Sequence, residues 1–435
     1  MSQEKNKQIL TFINFVDYFK PKYVLMENVT GMLMNSDVFD VPKFIISKFK
    51  DIGYDIRISV FNAIHFGIPQ SRSRLFFLGQ RTSTTNLNTH CTIQFPIPTH
   101  AGRVNSSVPN VFKSLLYSYP NAIQSGSMPP VNLRDYICDL KPLEENDSHP
   151  RNVNSDHHSK DVNHSYPREA LTVYQKIARR GCDRLTNMEY REYNNSFLTK
   201  SVIRCLPRRS GATIEDLEFD SLRIAISKKQ KSKKSFKRLE WSKPSSCIVS
   251  NMSVTHFEFI HPTENRILSI RECARIQGFP DTFEFVDDQG PLCRSQKLKE
   301  KYTQIGNAVP VVFGFQFGIE IRKAFIKSTQ PNDHSMVQHH ISIISEQLER
   351  ILKESSENAN RTIAEWSEQD FEISNDLREG TTLEFRKAEK EFHNSDEFVS
   401  QFLNVQLEQP SSSLSMDEDS DDHMVENDFE GSPLV

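Results

Sequence analysis

The chain has 435 residues, 37% of them hydrophobic and 10% aromatic, enough to bury a sizeable core in two or three domains. It holds no run of about 18 apolar residues, and the opening MSQEKNKQIL lacks an apolar stretch, so neither a membrane span nor a secretory signal is expected. The net charge of −4 hides an asymmetry: half of the sixteen residues from Arg223 to Arg238 are basic, whereas no Lys or Arg follows Lys390, so the two regions are expected to meet different partners.

Ile9, Phe12, Ile13 and Val16 recur at helical spacing as far as Phe19-Lys20-Pro21, where proline disfavours helix in the residue before it. Tyr23-Val24-Leu25-Met26 is a short unbroken apolar run, as expected of a strand covered on both faces in a parallel α/β sheet. Glu27 and Asn28 stand at its carboxyl end, and ligands of open α/β sheets bind beyond the carboxyl ends of the strands. Val41, Phe44, Ile45 and Phe49 predict a second helix ending near Gly53. From Tyr54 to Asn62 the chain alternates, with Ile56, Ile58 and Val60 on one face and Asp55, Arg57 and Ser59 on the other, which predicts a half-buried strand. A loop with Gly67 and Pro69 follows, and Arg74 to Leu78 is the expected pairing partner.

From about Thr82 to Phe259 the sequence is loop-rich, broken by Pro96, Pro98, Pro129, Pro130, Pro142 and Pro150, and is expected to form an inserted irregular domain. Ser269 followed by Glu272 makes a capping box, and Gly278 and Pro280 supply the matching stop, so SIRECARIQ is expected to be helical. Beyond about Ser328, Ile341, Ile344, Leu348, Ile351 and Leu352 suit a short amphipathic helix over His340 to Leu352, and the final stretch containing SSSLSMDEDSDD is expected to be disordered. The seven cysteines are odd in number and contain no CxxC pair, which argues against a disulfide framework or a zinc site; Cys273, inside a predicted core helix, is expected to be structural.

Four short blocks remain: ENV at Glu27 to Val29, QSRSR at Gln70 to Arg74, RECARIQGFPD at Arg271 to Asp281 and QIGNAVP at Gln304 to Pro310. In this order they resemble the motifs of the C5-cytosine DNA methyltransferase family. FPIPTH (Phe95 to His100), LRDYICDL (Leu133 to Leu140), LPRRSGATIEDL (Leu206 to Leu217) and KRLEWSKPSSCIVS (Lys237 to Ser250) resemble the large target-recognition region of its eukaryotic maintenance-type and fungal branch. The likeness runs from about Asn6 to Phe325. It implies an α/β chain with a partial Rossmann-like, S-adenosylmethionine-dependent methyltransferase fold, a large irregular target-recognition domain and a disordered acidic tail. Residues 1–81 would be the partial core, 82–260 the recognition region, 261–327 the return to the core and 328–435 the tail.

The resemblance also implies a chemistry. The family adds a cysteine thiolate to cytosine C6, which makes C5 nucleophilic enough to attack the methyl group of S-adenosylmethionine. Glu27 would hold or protonate ring nitrogen N3, which requires burial to favour its protonated form. Asn28 would fix the turn and base pocket, Arg74 would bind the base O2 as charge develops, and Arg72 would position the loop that carries the nucleophile. Asn307 and Val309 would contact the cofactor. The residues alone also admit blander readings, which the order of the motifs outweighs: Glu27 as an acid that begins a helix after a strand, Arg72 and Arg74 as a solvated hairpin face, and Asn307 with Val309 as a tight turn into the last helix.

The partner implied is double-stranded DNA in the nucleus, with the target cytosine flipped out of the duplex. Arg179, Arg180, Arg208 and Arg209 are expected to touch its backbone, which positions DNA without specifying sequence. Lys233 and Lys234 lie in a basic stretch that suits phosphate binding, nuclear import or a solvated loop. The family's Pro-Cys-Gln nucleophile block and its glycine-rich cofactor block lie further upstream of Glu27 than this sequence reaches, and no Pro-Cys pair occurs in it. Tyr23 to Met26 is therefore expected to be an exposed apolar edge, prone to aggregation or to pairing with another chain. Three readings follow: a fragment of an active methyltransferase that is inactive alone, one half of a split enzyme completed by a chain with the missing motifs, or a catalytically dead DNA-binding or scaffold protein. An RNA cytosine methyltransferase is disfavoured by the size of the recognition region. The acidic tail implies a partner that the sequence does not identify.

Overall fold

A computed structural model describes residues 3–33, 41–82, 93–101, 128–143, 165–191, 197–228, 235–252, 254, 258–285 and 293–329. The predicted amphipathic helix over His340 to Leu352, the acidic stretch and the basic pair Lys233 and Lys234 lie outside the described residues.

Helix α1 (Gln3–Phe19) leads through Lys20, which takes a left-handed φ of 47°, into strand β1 (Tyr23–Asn28). Helix α2 (Val41–Asp51) then crosses to β2 (Tyr54–Asn62), and Gly53, with φ 85°, makes the tight turn between them. After a single turn of 3-10 helix the chain doubles back as β3 (Ser73–Arg81). The sheet order is β1-β3-β2, and β3 is antiparallel to both neighbours.

This corrects the expectation of parallel pairing for Tyr23 to Met26. The short link between β2 and β3 permits only a hairpin-like return, and β3 takes the place between the two strands that the α2 crossover leaves parallel to each other. The expected exposed apolar edge is also corrected in part. Val24 and Met26 are buried under the helices, and the open feature is the backbone edge, since β1 pairs with β3 alone among the described residues.

Two apolar layers sandwich the sheet. On one face Ile13 and Val16 of α1 and Ile45 and Phe49 of α2 pack on Val24, Met26, Ile56, Ile58, Leu75 and Phe77. On the other, Phe61, Phe76 and Leu78 meet Phe95 and helix α9 (Val311–Thr329), whose Phe317 ring centre lies 4.6 Å from that of Phe76. The second layer explains why the outer face of β2 is not solvated along its length, as its alternation predicts: Asp55 is exposed, but Phe61 on the same face is buried under α9.

Between β3 and the C-terminal helices the described chain holds short helices: α3 (Leu133–Ile137), α4 (Val173–Arg179), α5 (Phe197–Cys205) and α6 (Asp220–Ser227). Their apolar residues, among them Leu133, Ile137, Val202, Ile203, Leu222 and Ile226, share one cluster with α7 (Ile270–Ile276) and α9. Irregular backbone leaves many carbonyls to satisfy. Arg238, fully buried, answers five of them, donating to Ile203, Leu206, Pro207, His261 and Glu264.

Helix α7 begins as its sequence predicts. Ser269 Oγ accepts from the Glu272 amide at 3.2 Å, Glu272 Oε2 accepts from the Ser269 amide at 2.6 Å, and Gly278 takes φ 87° past the last turn. Every residue of α7 is buried, and its charges are met inside: Arg266 reaches Glu272 at 2.7 Å, and Arg275 reaches Asp281 at 2.6 Å and Asp139 at 3.2 Å. Helix α8 (Arg294–Asn307) and the turn into α9 close the core.

Candidate active site

The register of β1 on β3 pairs Glu27 with Phe76 and Asn28 with Leu75, so the carboxyl end of β1 lies beside the start of β3. Arg74 therefore meets Glu27, Nε to Oε1, at 2.9 Å, with side chains 15% and 28% exposed: enclosed, yet reachable from solvent. Burial raises the Glu27 pKa above its ordinary value, against the pull of the Arg74 and Arg72 guanidiniums. Arg74 also donates to the Ser73 carbonyl at 2.8 Å. Asn28 Oδ1 accepts from the Val29 amide at 2.8 Å, holding the chain as it leaves the strand.

Arg72 points the other way, into the protein. It is 1% exposed and donates to the carbonyls of Ile248 at 2.8 Å, Gly306 at 2.8 Å and Ala308 at 2.9 Å, and to Cys247 Sγ at 3.0 Å. Its Nε is buried without a hydrogen-bond partner among the described residues. Arg72 and Arg74 are thus no solvated hairpin face: one clamps two distant segments, the other faces the carboxylate.

Two buried amides that sequence reasoning did not single out complete the junction. Gln70 Oε1 accepts from the Ile248 amide at 2.8 Å, while Gln70 Nε2 donates to Gln277 Oε1 at 2.5 Å. Gln277 Nε2 then donates to the carbonyls of Ile305 and Ala308, each at 2.9 Å. Backbone bonds run alongside, from the Ser71 amide to the Ser245 carbonyl at 2.9 Å and from the Ser245 amide to the Pro69 carbonyl at 2.7 Å. QSRSR, RECARIQGFPD and QIGNAVP, together with the SSCIV segment, are therefore bound into one buried junction, and ENV joins them through Glu27 and Arg74. The available signal was one glutamine in each of two motifs.

Gly306 lets the QIGNAVP turn approach that closely. A Cβ there would lie 2.2 Å from the Ser250 nitrogen and 2.4 Å from the Val249 carbonyl carbon, both backbone atoms. Asn307, the last residue of α8, is exposed, and Val309 is half-buried against the core. Carbonyls on both sides of Asn307 are held by Arg72.

The predicted DNA contacts separate. Arg179 is committed to the interior: its Nε donates to Asp139 Oδ2 at 2.8 Å and its guanidinium lies 3.9 Å from the centre of the Tyr166 ring. Arg180 is exposed, Arg209 is exposed and paired with Asp216, and Arg208 is half-buried. Cys273 is fully buried, and burial pushes its thiol pKa well up, as befits a structural cysteine.

The sheet thus ends in a half-buried acid faced by one arginine, with a second arginine binding the returning C-terminal segments behind it. The chain matches the family described as C-5 cytosine-specific DNA methylase over residues 1–323. The chain belongs to that family. The DNA (cytosine-5)-methyltransferase CMT1 of Oryza sativa subsp. japonica is 29% identical to it over 401 residues, 86% of this chain and 36% of that protein. The putative DNA (cytosine-5)-methyltransferase CMT1 of Arabidopsis thaliana is 30% identical over 343 residues, 73% of this chain and 41% of that protein. The chain thus spans 36% and 41% of the length of these two relatives. Among solved structures, a putative DNA modification methyltransferase encoded within an E. coli prophage is similar with a TM-score of 0.44 and 16% identity, over 74% of this chain and 75% of that one. Among the described residues, no helix is long and apolar enough to cross a membrane.

Proposed function

We propose that this chain supplies the base-binding acid and arginine and the target-recognition region of a DNA (cytosine-5)-methyltransferase, which moves a methyl group from S-adenosylmethionine to C5 of cytosine in DNA. The observation that carries the reading is the Glu27–Arg74 pair at the carboxyl end of β1. Glu27 holds ring nitrogen N3, and the burial that raises its pKa favours the protonated form the contact needs. Arg74 turns to the base O2, where a fixed guanidinium in an enclosed pocket stabilises developing negative charge better than water does. Arg72 positions these two by joining their loop to the segments at Ile248 and Gly306. Asn28 shapes the turn beneath the base.

S-adenosylmethionine is the methyl donor of this chemistry. Asn307, with an exposed amide, and Val309, half-buried and apolar, fit one polar and one apolar contact to such a ligand at the α8–α9 turn. The remaining contacts and the cysteine nucleophile come from the glycine-rich and Pro-Cys-Gln blocks, which the 435 residues do not contain. They are supplied by adjoining sequence or by a second chain, and the 435 residues alone transfer no methyl group. Residues 82–260 act as the target-recognition region, of the maintenance-type or fungal kind by their motifs, and touch duplex DNA in the nucleus through Arg180, Arg208, Arg209 and the stretch with Lys233 and Lys234.

The test is binding of two duplexes by the purified chain, one fully paired and one carrying an unpaired cytosine, followed by fluorescence anisotropy. A preference for the unpaired cytosine that is lost in Arg74→Ala is expected, since extruding that base costs least. Equal binding of the two duplexes by the unmodified chain would overturn the base-site reading. Labelled S-adenosylmethionine incubated with chain and DNA is expected to leave the DNA unlabelled; a labelled product would refute inactivity.

A further inference from the structure

Helix α9 packs Phe313 and Phe317 on the sheet and turns a second apolar face outward. Val311, Gly314, Phe315, Gly318, Arg322 and Phe325 recur at three- and four-residue spacing, so they share one side of the helix, and all of them are exposed. Phe315 is 60% exposed and Phe325 51%, the latter with the Lys22 ammonium 5.2 Å from its ring centre. Between the phenylalanines the surface dips, since a Cβ built on Gly314 or Gly318 would meet nothing within 4 Å among the described residues. A shallow apolar groove along a helix suits the apolar stripe of a second helix.

The chain itself offers such a stripe. Ile341, Ile344, Leu348, Ile351 and Leu352 share the same three- and four-residue spacing, so 340–352 folded as a helix presents one apolar side. A helix of that length is about 20 Å long and is marginal in water without a surface to pack on. Helix α9 ends at Thr329, and residues 330–339, with Pro331, Asn332 and Asp333 to favour a turn, reach at most about 36 Å, enough for the segment to fold back along α9. The charges agree: α9 carries Arg322, Lys323 and Lys327 against Glu320, and the segment carries Glu346 and Glu349 against Arg350. The outer side of α1 is apolar too, through Phe15 and Tyr18, but it lies on the opposite face of the sheet, and its Lys5 and Lys7 are balanced by Glu4 and Asp17.

We infer that residues 340–352 dock as a helix on the outer face of α9, antiparallel to it, with Ile341 beside Phe325, Leu348 over Gly318 and Ile351 beside Phe315. Short tethering sets a high local concentration of the segment at this face, which favours it over the same segment of another chain.

The experiment uses the full chain with benzoylphenylalanine in place of Phe315 or, separately, of Tyr18, irradiated as a mixture of unlabelled and heavy-isotope-labelled protein and mapped by peptide mass spectrometry. The probe in α9 is expected to crosslink to residues around Ile351 of its own chain, and the probe in α1 is not. Isotopically mixed crosslinks would make a second copy the occupant, and crosslinks from α1 to the segment would move the docking face; either outcome overturns the inference, as does a probe in α9 that never reaches 340–352. Hydrogen exchange supplies a second readout. The amides of 341–352 should be protected, and Phe315→Asp, at an exposed site outside the core, should lower that protection at least about tenfold, the scale of one lost phenylalanine burial. Leu348→Asp should do the same from the other side of the contact. Amides of Leu75 to Leu78 in β3 should keep their protection in both variants and so report an intact core. Absence of protection in the unmodified chain, or protection that survives Phe315→Asp, would also overturn the docking.

Discussion

A carboxylate enclosed with two guanidiniums is pulled in opposite directions: burial favours its neutral form and the cations its charged form. At Glu27 burial wins, and the folded-state pKa stands above the ordinary value. The native state then binds a proton more tightly than the unfolded chain does, so ionising Glu27 lowers stability as pH rises from the ordinary carboxyl value through the raised one. Glu27→Gln removes that titration. The melting temperature of the variant, followed from pH 4 to 8, should rise relative to the unmodified chain as pH climbs through that window, whatever constant offset the lost ion pair adds. A difference that does not change with pH would show that Glu27 titrates normally. Gly306 gives a second test at this scale, because its missing side chain is what lets two backbones touch. Gly306→Ala should destabilise by at least about 1–3 kcal/mol, the usual penalty for forcing atoms into packed space, read from the urea midpoint.

The elements differ in how much of them the sequence declares. Helix α7 was legible at both ends, because capping chemistry is local: Ser269 and Glu272 are three residues apart, and Gly278 follows directly. Ser269→Ala should cost about 1 kcal/mol through the lost cap alone. The α2 and β2 segments were legible from periodicity and β3 as the partner expected after the Gly67 and Pro69 loop, while the motifs drew attention to Glu27, Arg72 and Arg74 without saying which of them would meet. The sheet order was not, since pairing β3 between β1 and β2 is settled by contacts that no local pattern encodes. Nor was the Gln70–Gln277 bond, whose partners are 207 residues apart; an amide in a motif does not name its acceptor. The same distance effect hid the burial of Phe61, because the layer that covers it is α9, from the far end of the core. That layer can be tested through Phe317, which is fully buried against Phe61 and Phe76. Phe317→Ala should destabilise by about 3–5 kcal/mol, and a loss under about 1 kcal/mol would mean the C-terminal helix contributes little to the sheet.

At the scale of the whole molecule the net charge is −4, which by itself opposes binding to a polyanion. DNA contact therefore has to come from local clusters, and the structure narrows them: Arg179 has spent its charge on Asp139, whereas Arg180 beside it is exposed and Arg209 is exposed though paired with Asp216. Each phosphate neutralised releases counterions and adds about −0.9 to the slope of log Kobs against log salt. Arg180→Ala should therefore weaken binding to any duplex and make that slope shallower by about one unit. Arg179→Ala should instead destabilise the fold by taking one of two cations from buried Asp139, which keeps Arg275 at 3.2 Å, with little change in slope in the protein that remains folded. The two variants are neighbours with the same charge change, so opposite outcomes in salt titration and thermal melting would separate a phosphate contact from an internal clamp. Identical slopes for both would move the DNA surface away from α4.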